Sequence, residues 1–346
     1  MMTKVYVGMS GGVDSSLAAS LLVEQGYNVT GVYMKNWTQD LPGMLCPWAE
    51  DLADAKRVAV QLGIDFKVFD FENQYREKVV EYMIKEYRLG RTPNPDIMCN
   101  QEIKFKLFLE ASIDDGADLI ATGHYARTEN GLLKQAVDVN KDQTYFLYRI
   151  NAKSLTKTLF PIGNFTKTIV REIARERKIY TAGKKDSQGI CFVGKIGIRD
   201  FLSQYIEQKT GNIIDKQSGK VLGQHDGAIF YTIGQRHGLD IGGGLPYYVV
   251  SKDVSKNEIF VSTNLNDSKL WQNEININHI HWIKDKPQAG QYEIRVRHQA
   301  PLILADLTFN NTTVDLHLIN QVKAISPGQS VVIYKDEICL GGGIVS

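Results

Sequence analysis

Four short apolar runs open the chain: KVYVGM, NVTGVYM, DFKVFDF and ADLIATGH. Between them lie three stretches with apolar residues at helical spacing: DSSLAASLLVEQG, AEDLADAKRVAVQLG and YREKVVEYMIKEYRLG. Gly26 and Gly63 stand where the first two helices should stop. This alternation constrains the fold more than any other feature. Strand–helix–strand repetition implies a parallel sheet covered by helices, with ligands expected at the carboxyl ends of the strands.

Past about residue 205 the texture changes to glycine and β-branched residues, in GNIIDKQSGKVLGQHDG and YTIGQRHGLDIGGGLPYYVVSKDV. The last stretch reads as short strands of period two, including YEIRVRHQ, LILADLTF and TTVDLHLI, which suit a small β-barrel or a sandwich. The expectation is an α/β protein of three parts. Residues 1–204 form a parallel-sheet catalytic domain, 205–269 a small central domain, and 270–346 a β-barrel.

No apolar run approaches the ~20 residues that span a bilayer, and the N-terminus enters a strand without a signal peptide. A cytoplasmic protein with no membrane partner is expected. The formal net charge of +1 means that any nucleic-acid contact must come from local clusters of Lys and Arg. Residues 153–178, KSLTKTLFPIGNFTKTIVREIARERK, are either such a cluster or a solvated helix face.

GMSGGVDSS, residues 8–16, lies where the first strand meets the first helix. Adjacent glycines allow a tight turn and close backbone approach, and a helix N-terminus presents N–H groups and positive potential. A phosphate or pyrophosphate suits this loop. It is neither a Walker A loop nor G-x-G-x-x-G. Asp14 would repel phosphate unless a cation intervenes, so Mg²⁺ near Asp14 is expected.

The cysteines are Cys46, Cys99, Cys191 and Cys339; none forms a C-x-x-C pair, and no histidine cluster suggests zinc. Cys99 follows a proline-rich turn at the start of a helix, with Asn100 the expected cap and Asp96 able to handle a proton. A buried thiol beneath the turn is the other reading. Cys191 sits in KKDSQGICFVGK, a polar loop with Lys184, Lys185 and Lys195 near it. It reads as a thiol that must be reached or move, with a core position still open.

SGGVDSS resembles the PP-loop of the ATP pyrophosphatases, whose fold is that of adenine nucleotide alpha hydrolases. Together with MKNW, TPNPDIMCNQEIKF, ATGHYAR, KDQTYFLY, KDSQGICFVG, YTIGQRHGLDIGG and SPGQSVV, it resembles the bacterial tRNA-specific 2-thiouridylase family over nearly the whole chain. The resemblance implies that ATP, with Mg²⁺, adenylates the C2 oxygen of the wobble uridine (U34) in tRNAs for Lys, Glu and Gln. It implies a persulfide on Cys191, a nucleophile in Cys99, an acid/base in Asp96, and a Cys99–Cys191 disulfide after turnover. A cysteine desulfurase or a sulfur-relay protein would supply the sulfur.

The same resemblance assigns Gly8, Met9, Ser10, Gly11, Gly12, Val13, Asp14, Ser15, Met34 and Gly123 to ATP, with Met34 equally open to a strand-end core position. It assigns Asn94, Pro95 and Asp96 to the target base. His124, Lys141, Asp142, Gln143 and Gln329 match tRNA-contacting positions, with a hydrogen-bonded structural role equally open for the lone His124. Arg295 and Arg297 suit phosphate contacts, although Val296 stands where the family usually has tyrosine. Cys46 and Cys339 are expected to be packing residues. A small-molecule PP-loop ligase would leave both reactive cysteines idle, and a non-catalytic tRNA-binding module would not need the loop.

Overall fold

The computed structural model describes residues 2–40, 46–186, 197–242, 244–267 and 270–346. Cys191 and Lys195 lie outside the described residues, and with them the expected persulfide carrier and the Cys99–Cys191 pairing.

Up to Leu159 the chain contributes β1 (Lys4–Gly8), β2 (Asn28–Lys35), β3 (Asp65–Asp70), β4 (Leu119–Thr122), β5 (Arg127–Glu129), β6 (Leu132–Lys134) and β7 (Thr158–Leu159). Five of these form a parallel sheet in the order β3-β2-β1-β4-β7. The chain winds outward from β1 through β2 to β3, then crosses to β4 on the other side. That reversal between β1 and β4 opens a crevice at the carboxyl ends of the strands, where open α/β sheets bind ligands. The expected parallel sheet is therefore present, with GMSGGVDSS at its switch point.

Helix Val13–Glu24 follows β1, and its residues Leu17, Ala18, Ala19 and Leu22 are buried in a core shared with Val5, Val7 and Val29. A second core on the sheet's other face gathers Tyr6, Val32, Phe108 and Ile120 with the helices after β3. Gly26 and Gly63 both take the left-handed conformation past their helices, as read from the sequence.

Two later helices carry π-helical stretches, at Arg76–Val80 and Cys99–Leu107. π-Helical turns are rare and are found frequently at functional sites.

The central region holds β8 (Gly211–Asp215), β9 (Val221–His225), β10 (Tyr248–Asp253) and β11 (Glu258–Ser262), in the order β10-β11-β8-β9. The last region holds β12 (Trp271–Trp282), β13 (Gly290–Arg295), β14 (Ile303–Asn310), β15 (Thr313–Lys323), β16 (Ser330–Lys335) and β17 (Ile338–Val345). Because β12 pairs with both β15 and β17, these six strands close into a barrel, which decides between barrel and sandwich. Its core takes every second residue of a strand: Ile275 and Ile277 from β12, Ala305 and Leu307 from β14, Leu316 and Leu318 from β15.

The β5–β6 hairpin leaves the parallel-sheet region and adds to the barrel's edge through β6–β17 pairing. Among the described residues, no helix is long and apolar enough to cross a membrane.

Candidate active site

Gly11 has φ +73°, and a Cβ there would lie 2.4 Å from the carbonyl oxygen of Asp51. Gly123, just past β4, is equally constrained: its Cβ would lie 2.5 Å from the Ser15 nitrogen. The loop is thus held between helix Trp48–Leu62 and β4 by contacts that only glycine permits.

Gly12 caps helix Val13–Glu24 without a side-chain hydrogen bond. The first-turn N–H groups are left to an anion, as helix geometry provides. Ser15 Oγ accepts from the Ser10 nitrogen at 3.2 Å, which fixes the turn. Met34 packs on Gly8, while Met9 and Val13 are core residues whose backbone alone lines the loop. These features fit a nucleotide's phosphates.

Asp14 changes the expectation about its cation. Lys167 Nζ lies 2.7 Å from Asp14 Oδ1, and Tyr125 donates to the same oxygen at 2.9 Å. A lysine therefore supplies the positive charge for which Mg²⁺ was invoked. Among the described residues, no group of three or more His, Cys, Asp or Glu side chains could hold a metal ion. The described residues do not build a metal site of their own.

Lys167 also reaches Asp186 at 2.8 Å, where Lys141 (3.1 Å) and Arg171 (2.5 Å) converge. Although burial works against it, hydrogen bonds from Lys167 and Lys141 hold the Asp186 carboxyl down to about 2. Three cations facing two carboxylates leave positive potential beside the loop. Sequence reasoning missed Lys167 and Arg171; the one signal was the basic run 153–178, read as either nucleic-acid binding or solvated. Lys184, expected near a thiolate or phosphate, instead bonds Asp51 at 2.8 Å and Asp54 at 2.7 Å.

The second part of the site is the segment 94–104. Asn94 Oδ1 accepts from the nitrogens of Asp96 (3.1 Å) and Ile97 (3.4 Å), so Asn94 and not Asn100 caps this helix, with Pro95 in its first turn. Asn100 donates instead to the Phe146 carbonyl at 3.2 Å. Cys99 begins the π-helical stretch one turn further in, beyond the strongest field of the helix end. It is 2% exposed, among Ile103, Phe105 and Phe108, in agreement with the buried-thiol reading of its packing. Asp96 stands three residues before Cys99, on the same side of the helix. Burial raises its carboxyl pKa, opposed by Lys104.

Three of the side chains expected to contact tRNA, those of His124, Asp142 and Arg295, are buried. His124 is buried between Phe105 and Phe160, and burial drives its pKa well down. Lys104 lies 3.4 Å from its Nε2 and can only donate, so Nδ1–H donates to Thr122 Oγ1 at 2.7 Å. The side chains of Asp142 and Arg295 are 0% and 8% exposed and pair with one another at 2.9 Å. Asp142 also accepts from the Ala136 nitrogen and Thr144 Oγ1. Asp142 and Arg295 thus join the catalytic region to the barrel, while His124 packs within the catalytic region.

Gln143 Oε1 accepts from the Tyr125 nitrogen and so orients the tyrosine that holds Asp14. Exposed Arg297 donates to the carbonyls of Lys323 and Ala324. Gln329 Oε1 accepts from the Ser326 nitrogen at 3.0 Å. That turn touches the segment before Asn94, because the Thr92 nitrogen donates to the Pro327 carbonyl at 2.9 Å.

Residues 3–195 match the tRNA methyl transferase HUP domain, 199–263 the tRNA methyl transferase PRC-barrel domain, and 272–345 the aminomethyltransferase beta-barrel domain. The chain is 45% identical over 353 residues to the tRNA-specific 2-thiouridylase MnmA of Bacillus subtilis (strain 168), covering 99% of this chain and 95% of that protein. It is 44% identical over 356 residues to the tRNA-specific 2-thiouridylase MnmA of Enterococcus faecalis (strain ATCC 700802 / V583), with 99% and 95% covered. A solved 4-thiouridine synthetase–RNA complex with bound ATP is a more distant likeness, with 19% identity, a TM-score of 0.38, and 58% of this chain and 50% of that one covered.

Proposed function

The chain belongs to the tRNA-specific 2-thiouridylase family, and from that premise we propose how its residues divide the reaction. The protein is an ATP-dependent tRNA-uridine 2-sulfurtransferase. The observation that carries this is the end-to-end match to thiouridylases; the domain descriptions that speak of methyl transfer cover the same chain in pieces.

In our reading the substrate oxygen is O2 of the wobble uridine, U34, in tRNAs for Lys, Glu and Gln. Uridine O2 is a poor leaving group, and adenylate is a good one. The loop from Gly8 to Ser15, with Gly123, Met34 and Lys167, holds the polyphosphate of ATP while O2 attacks the α-phosphorus and pyrophosphate leaves. Mg²⁺ would arrive on the phosphates. Asn94, Pro95 and Asp96 border the base, with Asn94 acting through its cap. Asp96 takes the N3 proton as O2 bonds to phosphorus. Its raised pKa suits a group that must later return that proton.

The terminal sulfur of a Cys191 persulfide attacks C2 and displaces AMP. Cys99 thiolate then attacks Cys191 Sγ, and the electron pair of the broken S–S bond leaves with the uridine sulfur. The products are 2-thiouridine, reprotonated at N3, and a Cys99–Cys191 disulfide that an external thiol must reduce. Because Cys99 is buried, the side chains over it must part before that step. Either a desulfurase or a relay protein would load Cys191. Lys141, Gln143, Arg297 and Gln329 remain candidates for contact with tRNA in the cytoplasm.

The test is incubation with bulk tRNA, ATP and polysulfide as the donor of persulfide-level sulfur, followed by digestion and mass analysis of nucleosides. ATP-dependent 2-thiouridine is expected. A methylated uridine in its place would overturn the reading.

A further inference from the structure

Helix Trp48–Leu62 carries Asp51, Asp54, Arg57 and Gln61 along one stripe, at spacings of three, three and four residues. Residues 178–186 run back along that stripe from its far end toward the nucleotide loop. Gln61 Nε2 donates to the Lys178 carbonyl at 2.7 Å, and its Oε1 accepts from the Tyr180 nitrogen at 3.0 Å. Arg57 donates to Tyr180 Oη at 2.9 Å and lies over its ring. Lys184 then bonds Asp54 and Asp51.

Two further helices hold the same run. Thr181 Oγ1 donates to Ser16 Oγ of the nucleotide loop at 2.9 Å. Arg171 donates to the carbonyls of Ala182 (3.3 Å) and Lys184 (3.1 Å). Asp186 ends the run on Lys141, Lys167 and Arg171. Cys191 follows Asp186 by five residues in the sequence. A plain connection between two elements needs no such series of side-chain ligatures, several on an exposed helix face.

We propose that residues 178–186 are a strap that fixes the departure point of the sulfur-bearing segment, with Gln61, Arg57 and Tyr180 as its positioning residues. The proposal rests on the reading of Cys191 as sulfur carrier. The strap serves the sulfur-transfer half of the reaction. Gln61 and Tyr180 touch neither the nucleotide loop nor the 94–104 segment, so adenylation does not depend on them.

The test uses full-length protein preloaded with sodium polysulfide and desalted, in a single turnover with tRNA and ATP. Pyrophosphate release and 2-thiouridine are followed separately. For Gln61→Ala/Tyr180→Ala, pyrophosphate release is expected within about twofold of the parent, while 2-thiouridine forms about 10- to 100-fold more slowly, as for a misplaced reacting group. Gln61→Glu, which keeps the bond from Tyr180 but loses the one to Lys178, should fall between. Equal 2-thiouridine rates, or a parallel loss of both readouts in Gln61→Glu, would overturn the strap. Cys191→Ser run alongside separates the two claims: if it still makes 2-thiouridine, the carrier reading fails; if it does not while the strap variants are normal, only the strap fails.

Discussion

Lys167 Nζ lies 2.7 Å from Asp14 Oδ1 and 2.9 Å from Oδ2, so a lysine 153 residues along the chain neutralises the carboxylate inside the nucleotide loop. Removing it leaves Asp14 and Asp186 facing incoming phosphates with less compensating charge. Lys167→Ala should slow tRNA-dependent pyrophosphate release on the order of 10²-fold, the scale for losing one preorganised charge-stabilising donor. Lys167→Arg should recover part of it. An unchanged rate in Lys167→Ala would remove the lysine from the phosphate site.

Gly123 gives a steric test of the same site. With its Cβ 2.5 Å from the Ser15 nitrogen, Gly123→Ala must push β4 and the loop apart. The stability cost should be about 1–3 kcal/mol. The stabilisation that ATP gives the parent in thermal unfolding should be lost. A variant that keeps its full ATP-dependent rise in Tm would show that this close approach does not shape the nucleotide site.

Asp96 couples function to stability. Burial raises its carboxyl pKa above the ordinary 3.8, so the native state holds the proton more tightly than the unfolded chain. Stability then falls as pH rises through the window from 3.8 to the native value, and the penalty persists above it. Asp96→Asn should therefore have a higher Tm than the parent at about pH 7, with the gap closing toward about pH 4. It should also lose thiolation. A lower Tm near neutrality would contradict the burial argument.

The Asp142–Arg295 pair predicts the opposite behaviour. Removing one member of a buried pair typically costs about 3–5 kcal/mol, because the other charge is left without compensation. Asp142→Ala and Arg295→Ala should each unfold at markedly lower denaturant, while the folded fraction binds tRNA as the parent does. Normal stability with weakened tRNA binding would restore these residues to the RNA surface.

Much of this was legible in the chain. The nucleotide loop, the four leading parallel strands and the period-two strands of the barrel all follow from local patterns that packing reinforces. Asn94 was missed as a cap because Asn100 also precedes a helix-like run, and only Pro95 at the first helical position marks the earlier start. The β5–β6 hairpin could not be assigned to the barrel from sequence, since its pairing with β17 sets Lys134 beside the distant Ile338. Asp142 and Arg295 look like surface polar residues in one dimension, and only the tertiary fold buries them; for His124 the structural role left open by the sequence is the one its bond to Thr122 gives it. Lys167 was hidden for the same reason: its partners Asp14 and Asp186 are adjacent in space alone.

The central claim is that Cys99 and Cys191 hand one sulfur atom to an activated uridine. It is tested most directly by one turnover of persulfide-loaded protein without reductant, followed by alkylation and non-reducing peptide mapping. The account predicts a Cys99–Cys191 disulfide formed in equal amount to 2-thiouridine, and neither product in Cys99→Ser. Normal 2-thiouridine with both thiols still open to alkylation would contradict it.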